Sequence, residues 1–188
     1  MADFQLAHAK RRVQRHYEWQ RACYALLGAL PLVGLTFAAL HFSARAQTTL
    51  LFGVGAFVAA VALLWWGRDA QRAVLPGFVA GGIPLVLSLW ANQTHGCCAS
   101  NAVACGPTTV SMCVVACSAG GLLAGGLVAL IGKRLQLGPW YWRAAASMSL
   151  LVGAMGCACI GYTGVVGLAV GYALGAQGLR ALTHARGV

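Results

Sequence analysis

Long apolar runs, separated by short polar segments, are the dominant pattern along this chain. Each of the first four runs lacks charged residues and is long enough to cross the hydrocarbon core of a bilayer as a helix. Charged or polar turns follow each run. The pattern predicts four transmembrane helices, at about 22–40, 48–66, 73–91 and 108–131.

The C-terminal part of the chain contains one longer apolar stretch, 144–182, interrupted only by Arg180. A single helix over this stretch would be about 58 Å long, about twice the thickness of the hydrocarbon core. The stretch must therefore reverse direction, and the glycine-containing segment 161–164 is the expected place. This predicts two further helices, at about 144–160 and 163–182, and six in all within a transmembrane domain at 22–182.

The composition is that of an integral membrane protein. Hydrophobic residues make up 60% of the 188 residues and charged residues only 9%, whereas a soluble domain has about a quarter charged residues because its surface faces water. We therefore predict an all-α, integral membrane bundle of six transmembrane helices. The spans contain no Asp or Glu, and no catalytic motif occurs. The sequence thus argues against an enzyme and against a proton-coupled transporter.

The positive charges are distributed unevenly between the two sides of this topology. With the N-terminus in the cytoplasm, only Arg45 of the 13 Lys and Arg residues falls in an outer segment. The positive-inside rule then places both termini in the cytoplasm, for a multi-pass protein of the bacterial cytoplasmic (inner) membrane. The protein is expected to contact the lipid bilayer, and its excess of Lys and Arg on the cytoplasmic side accounts for the net charge of +10. We therefore expect no direct binding of nucleic acid.

A basic segment precedes the first apolar run. Residues 1–21 are expected to form a cytoplasmic arm, and residues 183–188 a short cytoplasmic tail. The sequence Ala44-Arg45-Ala46 resembles a signal-peptide cleavage site, so removal of residues 1–46 is an alternative, although the long n-region favours a retained helix. The arm's candidate residues for binding a partner or anionic lipid are Lys10, Arg11, Arg12 and Arg15.

Most of the eight cysteines are predicted to lie toward the outer side, and only Cys23 lies at the inner end. Three interpretations stay open: structural disulfides, which an oxidising compartment favours, a site for zinc or another soft metal, and packing as small apolar residues. The spacing matches no standard Cys-x-x-Cys pair and does not determine a connectivity. The candidate disulfide or metal residues are His95, Cys97, Cys98, Cys105, Cys113, Cys117, Cys157 and Cys159.

This layout resembles bacterial six-helix inner-membrane anti-sigma factors, negative regulators that hold a sigma factor with a short cytoplasmic N-terminal segment. The similar features are the six spans, the brief basic arm, the step Leu75-Pro76-Gly77 at the third helix and a cysteine-bearing outer loop. A fifth helix rich in small residues, which brings Cys157 to the outer side, is a further similarity. The resemblance implies a regulatory protein with a sigma factor as its cytoplasmic partner.

The function that we favour from the sequence is sensing or regulation. In this hypothesis the outer Cys and His residues report redox or metal state, and the basic arm engages a cytoplasmic partner. One alternative is a carrier for soft metal ions, with Cys97, Cys98, Cys113 and Cys117 as a capture relay. Another alternative is a structural membrane subunit whose cysteines only form stabilising disulfides.

Overall fold

The computed structural model describes residues 2–42, 46–95, 107–158 and 161–185, and nearly all of these residues are helical. No strand occurs in those ranges, which confirms the all-α prediction. Six α-helices follow one another: α1 (Ala2–Phe42), α2 (Ala46–Trp66), α3 (Arg68–His95), α4 (Pro107–Arg134), α5 (Pro139–Cys157) and α6 (Tyr162–Ala185).

The first helix includes both the basic arm and the first apolar run. α1 is 41 residues long and contains Pro31 within it. Residues 2–21, the predicted arm, therefore belong to the same helix as the span that follows them. A displacement of that span would be carried to the arm along a continuous backbone.

Four of the described helices have the length and composition of membrane-crossing helices. Large apolar side chains on their outer faces, such as Phe37, Leu51 and Leu75, are exposed. A continuous apolar surface of this kind suits lipid and would be costly in water. These are the properties of a membrane protein. The candidate spans cover Gln14–His41, Ala46–Trp65, Ala70–Thr94 and Met112–Arg134.

Glycines allow α4 and α6 to approach at backbone distance. Gly121 of α4 lies against the carbonyl oxygen of Leu168 in α6. One turn further along α4, Gly125 lies against the carbonyl oxygen of Tyr172. The two contacts advance in the same direction along both helices, so α4 and α6 are parallel, and small residues are what permits such an approach in membranes. α3 and α5 are parallel in the same way.

Consecutive helices alternate in direction. α1 and α2 are antiparallel, since Gly28 lies against Leu64 and Gly53 lies against Thr36. Gly161, with a φ of 94°, occupies the position just before α6 begins, a backbone conformation that favours glycine. Because the helices alternate in direction, α4 begins and α5 ends at the same end of the bundle. This end is called the cysteine end here, since Cys113, Cys117 and Cys157 lie there.

Candidate thiol site

Three described cysteines lie in the packed interior of the cysteine end. Cys113 and Cys117 are one turn apart on α4, and Cys157 is the last residue of α5. Their exposed fractions are 1%, 0% and 0%. Cys117 and Cys157 belong to one core cluster with Ala154 and Leu168. These two cysteines lie close enough to each other to interact, so α4 and α5 meet through sulfur-bearing side chains.

The described cysteines are not all bonded in the same way. Cys117 and Cys157 are free thiols, as is Cys23. Cys113, in contrast, is disulfide-bonded, and the sulfur that it bonds lies outside the described residues. One face of α4 thus carries a disulfide-bonded cysteine and, one turn further into the bundle, a cysteine without a disulfide.

Pro84 of α3 sets the spacing at which α4 and α5 meet. It is fully buried, and a Cβ on Gly120 of α4 would lie 2.6 Å from its Cα atom. A Cβ on Gly153 of α5 would lie 2.9 Å from its Cγ atom. Gly120 follows Cys117 by three residues, and Gly153 precedes Cys157 by four. Both helices are therefore held against Pro84 about one turn below the paired thiols.

A contact from the end of α5 reaches α1. The hydroxyl of Thr36 donates a hydrogen bond to the carbonyl oxygen of Leu32 at 2.7 Å and lies 3.6 Å from the sulfur of Met155. Met155 is two residues before Cys157 and is 1% exposed. Gly53 of α2 packs against the Thr36 side chain from the other side. The site therefore contacts the same helix that forms the basic arm.

Sequence reasoning did not identify Thr36, Met155 or Pro84 as parts of this site. The sequence showed only that a hydroxyl and a proline occur within apolar runs, where each is energetically unfavourable for the helix. Neither residue type reveals which side chain it contacts, because the contact depends on how the helices pack.

Other predicted site residues fall outside what the structure describes. Cys97, Cys98, Cys105 and Cys159 lie outside the described residues, and His95 is the last residue of α3 with its side chain undescribed. No group of three or more His, Cys, Asp and Glu side chains suited to a metal ion occurs among the described residues.

The opposite end of the bundle carries the arm. The backbone of Lys10, Arg11 and Arg12 is helical, and only for Arg15 among the four candidate residues is the side chain described, which is exposed. A cavity of about 460 Å³ opens beside α1, between the arm and the turn at Gly67. Its lining combines polar and apolar side chains, which suits contact with headgroups or a protein. The side chains around it include Tyr17, Gln20, Arg21, Tyr24 and Gln71.

Comparison with known proteins adds no relative to this description. No protein-family model, no curated protein and no solved structure matches the chain. The function must therefore be argued from the residues themselves.

Proposed function

We propose that this protein is a multi-pass regulator of the bacterial inner membrane, whose thiols at the cysteine end report redox state to a cytoplasmic partner bound by the arm. All six helices cross the membrane in this proposal, and both termini are cytoplasmic. A sigma factor is the partner that the resemblance to anti-sigma factors suggests.

The orientation rests on charge. The cysteine end holds few basic residues, whereas Arg15 and Arg21 lie in the N-terminal half of α1 and Lys133 and Arg134 at the end of α4. The positive-inside rule assigns the basic end to the cytoplasm. The cysteine end then faces the oxidising compartment, where a disulfide persists.

The observation that carries the proposal is the close spacing on α4 of one disulfide-bonded cysteine and one free cysteine. A disulfide-bonded Cys113 lies within one turn of a free, buried Cys117, and this arrangement supports a site that uses both forms of sulfur. A disulfide with a purely structural role does not require a second pair of cysteines, Cys117 and Cys157, as free thiols one turn deeper. A change of state at this pair would alter the spacing of α4 and α5, which is a two-state element of the kind that a sensor needs.

A direct contact leads from this element to the arm. Met155, two residues from Cys157, contacts Thr36, and Thr36 belongs to the same continuous helix as residues 2–21. A shift of the end of α5 would therefore bias the position of α1. The Thr36→Val variant keeps the shape of this side chain and removes its hydroxyl, whereas Thr163→Val makes the same change at an exposed position of α6.

Orientation is tested by reporter fusions in intact cells. A periplasm-active reporter inserted at 101 should be active, and the same reporter inserted at 136 or fused after 188 should be inactive. Activity at 136, or cytoplasmic labelling at 101, would overturn the orientation.

Partner binding is tested by affinity purification of the full chain from membranes treated with oxidant or reductant. We expect a cytoplasmic protein whose recovery depends on the treatment and falls when Lys10, Arg11 and Arg12 are changed to Gln. Matched changes of Lys133 and Arg134 should leave its recovery unchanged. If the recovery of the partner changes neither with the arm substitutions nor with the redox treatment, the proposal is contradicted.

A further inference from the structure

Three cysteines are neighbours in sequence or in space at the cysteine end, and together they form a line of contacts from α4 to α5. Cys113 and Cys117 are four residues apart on α4, a spacing that places both on one helix face with Cβ atoms about 5–6 Å apart. Cys117 in turn lies beside Cys157 within a shared core cluster. Only the first of the three is in a disulfide. The line thus joins an oxidant, in the form of a disulfide, to a dithiol that can accept it.

We propose that the disulfide of Cys113 passes inward to Cys117 and Cys157 by thiol–disulfide exchange, so that this pair is the second position of an internal disulfide switch. The inference deepens the proposed function and rests on it for its regulatory meaning. The exchange itself requires only the three sulfurs and the sulfur now bonded to Cys113.

The exchange proceeds in two balanced steps. In the first, Cys117 gives up its proton and its sulfur attacks the sulfur of Cys113, which forms a bond between them and releases the former partner as a thiolate that takes up a proton. In the second, Cys157 gives up its proton and attacks the sulfur of Cys117, which releases Cys113 as a thiol after protonation. One S–S bond breaks and one forms. The deeper dithiol loses two electrons and the outer pair gains them, so no external oxidant is needed.

Geometry favours completion of the second step. A disulfide needs Cβ atoms about 3.5–4.5 Å apart, which is less than the spacing of residues i and i+4 on a helix. The intermediate that links Cys113 to Cys117 is therefore strained and easily reduced. Cys157, already in contact with Cys117, is the sulfur placed to resolve it. The product joins α4 to α5 directly.

Burial sets the rate. The thiolate is the attacking species, and an apolar site without a basic neighbour disfavours it. We therefore expect exchange over minutes to hours, in the range of uncatalysed disulfide rearrangement, and faster exchange at higher pH.

The test uses the full-length protein in lipid vesicles without oxygen or added oxidant. Samples held at pH 8.5 are quenched in acid at intervals, denatured, alkylated and digested, and tandem mass spectrometry locates each disulfide. We expect a Cys117–Cys157 disulfide to appear as the Cys113 disulfide disappears, while the total number of free thiols stays constant. The Cys23→Ser variant should behave like the wild type.

Two variants separate the steps. Cys157→Ser should stop the reaction at a Cys113–Cys117 disulfide, and Cys113→Ser should give no Cys117–Cys157 disulfide. Absence of this disulfide in the wild type, or its formation at an equal rate in Cys113→Ser, would overturn the exchange. Either result would leave the reporter and partner experiments unaffected, since those measure orientation and the arm.

Discussion

The contact between α4 and α6 offers a direct test of the fold. A Cβ atom at Gly125 would fall well inside contact distance of the carbonyl oxygen of Tyr172, and 2.9 Å from the backbone nitrogen of Ala176. Both obstacles are backbone atoms, which cannot rotate away as a side chain can. At the neighbouring Gly126, a Cβ atom would meet nothing within 4 Å. Gly125→Ala and Gly126→Ala are therefore the same change on the same helix with different surroundings.

The expected magnitude follows from these surroundings. To admit the new methyl group at Gly125, α4 and α6 must separate locally by roughly 1 Å, a gap that forfeits about a quarter to a half of each dispersion contact across it. Overpacking of this kind costs about 1–3 kcal/mol. Both variants gain about 0.5–1 kcal/mol from replacing glycine in a helix. The gain cancels in the comparison, so Gly125→Ala should be less stable than Gly126→Ala by about 1–3 kcal/mol.

The assay is unfolding by sodium dodecyl sulfate in mixed micelles, followed by tryptophan fluorescence and by circular dichroism. Fluorescence reports the loss of packing between helices, while circular dichroism shows whether the helices themselves persist. Equal midpoints for the two variants, or a lower midpoint for Gly126→Ala, would refute the parallel α4–α6 packing described above.

Two further changes test particular side chains. The hydroxyl of Tyr141 is buried and has no hydrogen-bond partner among the described residues, so Tyr141→Phe should leave stability within about 1 kcal/mol of the wild type or raise it. A loss above about 2 kcal/mol in the same assay would show a missing partner. Thr36→Val removes the hydroxyl that contacts Met155, so it should weaken the redox dependence of partner recovery while basal recovery stays unchanged, and Thr163→Val should have neither effect. An unchanged redox response in Thr36→Val would remove this contact from the signalling route.

The helices could be predicted from the sequence because each is a long apolar run bounded by charge, glycine or proline. The division of the last stretch followed from length alone, and Gly161 indeed precedes α6. The start of α1 could not be predicted, since the polar residues before Ala22 carry no membrane signal although they continue the same helix. The pairing of Cys117 with Cys157 was equally out of reach. It depends on Pro84 and the glycines that pack against it, which are contacts between helices distant in sequence.

Burial alone does not distinguish a cysteine that only fills space in the core from a cysteine that senses redox state. Free cysteine packs well as a small apolar residue, and the cluster of Cys117 and Cys157 with Ala154 and Leu168 fits that description. Packing does not account for the disulfide one turn away. The two explanations differ in what oxidation does to stability.

A disulfide between Cys117 and Cys157 would stabilise the protein by about 2–4 kcal/mol, because it restricts the unfolded chain. Treatment with a membrane-permeant oxidant should therefore raise the unfolding midpoint of the wild type. Cys157→Ala cannot form this bond and should lack most of the rise, while Cys23→Ala, changed at the opposite end of the bundle, should retain it. If Cys157→Ala and the wild type rise by the same amount, the buried thiols serve packing alone, because the added stability then comes from other cysteines.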